Sequence, residues 1–428
     1  MSRAALVMLT ATCGLAATLL TGCDAQLSFG RRLEGPFDDG GLSDTAVSQP
    51  PRPPFSCTLH GPLLDLDDGA EAACGDDSHG FHHALCACED VVLGGATLVD
   101  GFDSRVAPYA AGEHSGSLAA NRALYLNAPA RIGGSLVVAG STGIPDTRGD
   151  LVVGGNLLDQ GPLLSAFGVT VDGRAEVAGD VRLGSLDVAG SFTLAATAAL
   201  EVRDGAPPVV RRAVSVAPAC RCDAPLDLAT IIRAARADND NAAIALDAAN
   251  GLKAVDSARE QILPCGRYYV SELYAAHPLT LRIQGRVALY VDSDVVVENT
   301  GALTIALEGA AELDLFVLRG LSSKGPVEIG TPRAPTRTRL HFGASYALSF
   351  EDRATIAATL HAPLAQLVTQ AAPLELYGSS LVRSAAAAGP LTLHYDRALN
   401  GDSCVAASCT RDTDCVRGLR CDGARCLP

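Results

Sequence analysis

From about residue 131 the chain runs in short stretches in which Val, Leu or Ile alternates with a small or polar residue and Gly punctuates the run. Gly133-Gly134-Ser135-Leu136-Val137-Val138, Gly154-Gly155-Asn156-Leu157-Leu158 and Val169-Thr170-Val171-Asp172-Gly173 show the form. Alternation with period two sends successive side chains to opposite faces of a strand. Gly134, Gly155, Gly173 and Gly190 follow one another at 21, 18 and 17 residues. Recurrence near that length fits one turn of a solenoid, each turn stacked about 4.8 Å from the next. An antiparallel sandwich also alternates, but it needs hairpin turns, and Asn-Gly or Asp-Gly signals are few here. The pattern therefore predicts an all-β fold, a parallel β-helix (β-solenoid). It resumes at 280–291, 294–297, 303–305, 313–317 and 327–329, then at 354–360 and 374–378.

The segment between the two runs, 223–266, differs. Leu226 to Arg236 carries apolar residues at helical spacing with strong helix formers, which predicts one inserted helix. It stops at Asp238-Asn239-Asp240-Asn241. That run lacks the Gly and distal Glu of an EF-hand loop, so it reads as a helix end rather than a calcium site.

Composition supports the narrow-bore picture. Of 428 residues 48% are hydrophobic, yet only 4% are aromatic and none is Trp. Side chains filling a thin turn are Val, Leu, Ala and Gly. The formal charge of −15 argues against a nucleic-acid partner, because little would neutralise phosphates. No run of about 18 apolar residues follows the N-terminus, so the body has no spanning helix by sequence.

Arg3 precedes an apolar stretch, Ala4 to Leu20, which ends in Leu20-Thr21-Gly22-Cys23. That is the shape of a secretion signal. The ending resembles the lipobox of bacterial lipoproteins. By that resemblance residues 1–22 are removed and Cys23 is acylated. Each buried methylene contributes about 0.8 kcal/mol, so two or more acyl chains hold a protein on a bilayer. The expectation is a lipid-anchored envelope protein, on the outer membrane or cell surface rather than the inner membrane. Residues 23–55 then read as a Pro- and Gly-rich tether ending in Pro50-Pro51-Arg52-Pro53-Pro54.

Fourteen Cys are present, and setting aside Cys13 and Cys23 leaves twelve. Cys57, Cys74, Cys86 and Cys88 form one group, and Cys220, Cys222 and Cys265 a second. Cys404, Cys409, Cys415, Cys421 and Cys426 form the third. An even count in an exported chain reads as disulfides. The last two groups are odd, so at least one bridge crosses between groups if all pair. Cys404 is the candidate to reach the middle group, and a bridge from that group could staple the insertion to the solenoid wall. Cys74, His79, His82, His83, Cys86 and Cys88 offer zinc ligand types, but their spacing is irregular. Disulfides are the preferred reading, with no metal and no cofactor.

Residues 267–400 carry a further resemblance. Val287 to Val297, Ala357 to Ala365, Tyr377-Gly378-Ser379-Ser380-Leu381-Val382 and His394-Tyr395-Asp396-Arg397-Ala398-Leu399 follow one another as in a bactofilin-like bacterial β-helix domain. The resemblance implies a pilus-associated or surface protein and carries no catalytic residues. The last residues, 401–428, resemble a Dickkopf-type cysteine-rich repeat and need bridges to fold. Asp76-Asp77-Ser78-His79-Gly80 is the best local catalytic candidate, but it precedes the repeats. Asp172, Glu176, Asp180 and Asp187 read as outer-wall acids that keep strand edges soluble.

The expected organisation is signal peptide (1–22), tether (23–55), Cys-flanked part with the first turns (56–219), helical insertion (220–266), solenoid (267–400) and Cys-rich tail (401–428). Cysteine-rich segments are expected to cap both solenoid ends. The expected function is a non-enzymatic envelope scaffold, adhesin or assembly partner, with other envelope proteins as partners. The alternative is an enzyme or binder of envelope polysaccharide.

Overall fold

The computed structural model describes residues 81–111, 115–205, 207–222, 226–343 and 345–399, with the backbone of strands Arg420–Asp422 and Arg425–Leu427. All belong to the compact unit Phe55–Pro428. Among the described residues, thirty-one strands join in one sheet through parallel ladders, and the fold is a parallel β-solenoid of about 13 turns with one α-helix.

Each turn lays up to three short strands on three faces. On face 1, Leu85–Ala87, Leu118–Ala120, Leu136–Val138, Leu157–Asp159 and Ala175–Val177 stack in order. Leu85, Leu118, Leu136, Leu157 and Ala175 point inward in one row and are buried. Fully burying a Leu or Val contributes about 1.5–3 kcal/mol, so the repeated inward row is the main source of cohesion. Aromatic side chains enter this bore at few places, among them Phe192, Tyr268, Phe342, Phe350 and Tyr395.

The glycine recurrence has a steric cause. Gly155 N–H donates to the Gly134 carbonyl at 2.8 Å, and Gly173 N–H to that of Gly155 at 2.9 Å. A Cβ on Gly173 would lie 2.5 Å from the Gly155 oxygen, closer than any side chain tolerates. Small polar residues beside these glycines tie one turn to the next. Ser135 N–H donates to Ser117 Oγ at 2.9 Å, Asn156 N–H to Ser135 Oγ at 3.0 Å, and Arg174 N–H to Asn156 Oδ1 at 3.1 Å.

The order of turns in the stack differs from their order in the chain. A first coil (85–211) and a second coil (253–396) share one axis, but the second precedes the first. Leu85–Ala87 pairs with Leu118–Ala120 on one side and with residues 380–382 on the other. Val91–Leu93 lies between residues 124–126 and 385–387. Thr97–Phe102 pairs along its length with Leu391–Asp396. The polypeptide therefore enters the solenoid in mid-stack and winds outward to Val209–Arg211. It then returns outside the coil and restarts at Lys253–Ala254 and Arg259–Leu263. From there it winds back to its own first turn, which we term the seam.

This arrangement corrects two expectations. The Cys-flanked segment does not cap an end, because Cys86 lies in a strand paired on both sides. The segment expected as a helical insertion, 220–266, also contains the opening strands of the second coil.

Helix α1 (Leu228–Ala237) forms where its apolar spacing predicts. Asp227 caps it, accepting from Thr230 N–H at 3.1 Å and from Thr230 Oγ1 at 2.7 Å. Its buried residues Leu228, Ile232 and Ala235 pack on Tyr269, Tyr290 and Phe316 of the second coil. The Asp/Asn run that follows closes an open strand edge. Asn241 Nδ2 donates to the Tyr269 carbonyl at 2.7 Å, and Asn241 Oδ1 accepts from Tyr269 N–H at 3.0 Å. Asp240 Oδ2 accepts from Arg267 N–H at 2.8 Å.

Candidate functional site

Two features stand apart from the repetitive wall: a strap on face 1, and a polar cluster across the seam.

The strap is explained by the row it covers. Along face 1 the outward positions run Tyr269, Tyr290, Phe316, His341, His361, Leu381, Cys86, Ala119, Val137 and Leu158. An apolar row on an outer wall needs cover. Helix α1 covers the aromatic end, and the returning chain covers the other end through Val216, Ala219 and Cys220. The return is pinned at every stage. Arg212 pairs with Glu176 at 3.3 Å, and Val216 N–H donates to Gln160 Oε1 at 2.7 Å. Asn121 Oδ1 accepts from Ala219 and Cys220 N–H at 3.1 and 3.0 Å, and Asn121 Nδ2 donates to the Cys220 carbonyl at 2.8 Å. Two disulfides, Cys86–Cys220 and Cys88–Cys222, then lock strap to wall, with Cα atoms 5.5 and 5.8 Å apart.

In the middle of the row, His341 stacks on Phe316 at 4.8 Å and 9°. Phe316 stacks on Tyr290 at 5.0 Å. Neither ring nitrogen of His341 has a hydrogen-bond partner. Burial, followed by repulsion from His361, pushes the His341 pKa down to about 3. Burial pushes His361 down to about 4. Both rings therefore serve as apolar members of the stack. A folded-state pKa below the unfolded value stabilises the fold above about 6.5, and that stability is lost as pH falls toward the folded pKa. We expect the thermal midpoint to fall between pH 6.5 and 4. His341→Phe, which keeps the stack, should remove about one proton's worth of slope, about 1.4 kcal/mol per pH unit. Melting curves across that range check it, and equal slopes for the two proteins would contradict it.

The seam cluster joins both coils. Thr97–Phe102 supplies Asp100, and the following loop supplies Tyr109. Leu391–Asp396 supplies His394, and Leu374–Ala387 supplies Glu375 and Tyr377. His394 Nδ1 lies 2.6 Å from Asp100 Oδ1 and its Nε2 3.2 Å from Glu375 Oε1. Tyr109 donates to Asp100 Oδ2 at 2.8 Å and Tyr377 to Glu375 Oε1 at 2.9 Å. The two tyrosine rings lie 4.0 and 4.4 Å from the His394 ring, whose side chain is 3% exposed. Burial, then the bonded carboxylates, push both phenols above their ordinary value. Further bonds cross the seam from Ser104 N–H to Asp396 Oδ1 at 3.0 Å, and from Tyr395 OH to the Phe81 carbonyl at 2.9 Å.

The cluster lies on the outer side of the wall beneath Tyr109, with Glu375 at its exposed edge. Both nitrogens of His394 are held to carboxylates, and both phenols donate to the same acids. The His394–Asp100 bond ties coil to coil, and the other bonds brace its two ends within each coil. A second charged group, Arg286 and Arg339 with Glu312 and Asp314, balances itself in the same way. Arg286 reaches Glu312 at 2.9 Å and Asp314 at 3.0 Å, and Arg339 reaches both acids. Burial pushes the Asp314 carboxyl up, but the two guanidiniums outweigh it and hold it below its ordinary value. A shallow recess of about 420 Å³ spans the seam between Leu98, Arg131, Val152 and Thr392.

Of the residues expected from sequence, Cys86, Cys88, Cys220 and Cys222 pair between the first and middle groups, and the strap is indeed stapled to the wall. Cys265 is also disulfide-bonded. With Cys86 and Cys88 in bridges, the zinc alternative loses two of its six candidate ligands, and the described residues contain no metal-binding group of three. Cys421 and Cys426 are register partners in an antiparallel pair. Cys23, Cys57, Cys74, Asp76 to Gly80, Cys404, Cys409 and Cys415 lie outside the described residues. Asp172 and Asp187 are exposed, as expected, but Glu176 is half-buried beneath Arg174 and Arg212. The seam residues had one sequence signal, the His394-Tyr395-Asp396 motif, which named no partner.

The molecule is thus a parallel β-solenoid closed by a bridged strap. Residues 227–401 match a family described as a domain of unknown function, DUF7305. The matched segment starts at the cap of α1 and takes in the whole second coil, while the first coil lies outside it. No curated protein and no solved structure matches the chain.

Proposed function

We propose that this is a non-enzymatic, lipid-anchored protein of a bacterial cell envelope that acts as a scaffold, adhesin or assembly partner. The observation that carries the reading is the bridged strap. A chain that depends on two disulfides for its closure belongs in an oxidising compartment. The lipobox-like Leu20-Thr21-Gly22-Cys23 agrees with export and supplies the anchor. The seam cluster agrees with a structural role, because its titratable groups bind one another. The repeated wall offers an extended surface for neighbours. No described helix is long and apolar enough to cross a membrane.

Cys23→Ser tests this directly. The wild type should partition with envelope membranes, and the variant should appear in the soluble fraction or the medium. Pull-down from envelope fractions should recover envelope proteins with the wild type. A variant that stays in the membrane pellet would overturn the anchor. Cleavage of an acidic glycan by purified protein would overturn the non-enzymatic reading.

A further inference from the structure

We infer that the seam is a docking surface for a first coil, that a second copy of this chain can supply that coil, and that the two bridges select the chain's own. The backbone ladder at the seam is built like the other ladders between turns. Leu85, Cys86 and Ala87 pair with Ser380, Leu381 and Val382 in unbroken parallel register. No peptide connects the two turns across it, and nothing in the ladder distinguishes a coil of the same chain from that of another. The family match adds to this, because it ends with the second coil and leaves the first coil as a separate element.

The backbone linkage between the coils runs through the strap. Arg211 and Leu228 are 17 residues apart, and a stretch of that length can span about 56 Å when extended. Unpinned, it would let the second coil reach many positions, including the seam of a neighbouring copy. The strap instead follows the first coil back over six turns, about 29 Å, and is bridged at the first turn. From Cys222 only five residues remain before Leu228, a reach of about 20 Å over six steps. The bridges therefore deliver the second coil to its own seam at high effective concentration. Without them the same contacts can form between copies as a domain swap.

Val92 and Ala386 are register partners across the seam, and both are half-buried on the outer side. Neighbouring strands at that spacing fit a disulfide. Val92→Cys on one copy and Ala386→Cys on another, coexpressed and oxidised, report swapping as an interchain band on a non-reducing gel. With Cys86, Cys88, Cys220 and Cys222 all changed to Ser, we expect that band to be at least tenfold stronger than in the bridged protein and to grow with protein concentration. A bridged protein with a long Gly/Ser linker inserted between Cys222 and Leu228 should also show it, and this variant keeps the disulfides if the first one fails to fold. The inference is overturned if Val92→Cys/Ala386→Cys on one chain cross-links while the mixed copies give no interchain band in either background.

Discussion

Changing Cys220 and Cys222 to Ser should lower the stability of the oxidised protein by about 3–5 kcal/mol. Each bridge closes a loop with a sequence separation of 134 residues. Cross-linking a loop of that length removes about 5 kcal/mol of unfolded-state entropy on the chain-entropy account. The second bridge adds little of this, because Cys88 and Cys222 are each two residues from a pair already joined. Losing one bridge should therefore cost much less than losing both. Guanidinium unfolding at low protein concentration measures it. With both proteins in reductant the double variant should match the wild type, and the oxidised double variant should unfold at clearly lower denaturant than the oxidised wild type. A double variant with the midpoint of the oxidised protein would show that the strap contributes nothing to closure.

The second large effect lies at the seam. Asp100→Ala should cost about 3 kcal/mol, because it leaves buried groups of His394 and Tyr109 without their shared acceptor. Asp100→Asn keeps the shape and one acceptor, so its cost should be smaller. Tyr377→Phe removes one bond to the more exposed Glu375 and should cost about 1 kcal/mol. Urea unfolding of the three variants should give that order. Equal and small effects from all three would mean that the cluster does not hold the coils together.

The local architecture was legible because its signals are local. Gly134, Gly155, Gly173 and Gly190 mark successive turns, and their amides and carbonyls do stack. The helix expected from Leu226 to Arg236 forms at Leu228–Ala237. The odd count in the middle cysteine group required a bridge to leave it, and two do. What stayed hidden was the order of the turns. Leu85 and Ser380 look like members of any two turns, and no alternation pattern states which turn abuts which. Asp100 and His394 are likewise 294 residues apart, and only the permuted stack brings them together. The expectation that the N-terminal cysteine-rich segment caps an end failed for the same reason: position in the chain is not position in the stack.

Amide hydrogen exchange tests the permuted stack most directly. In a closed seam, the backbone around Leu85–Ala87 bonds to both neighbours. Ala84 N–H donates to Ser117, Cys88 N–H to Val382, and Ser380 N–H to Ala84. Residues 85–102 and 380–396 should then be protected as strongly as the interior strands Leu157–Asp159 and Gly168–Val171. Leu200–Asp204, half-buried to exposed at the end of the first coil, should exchange fast. Residues 85–102 exchanging as fast as 200–204 would mean that the first coil begins at an open edge, and the single permuted solenoid would be wrong.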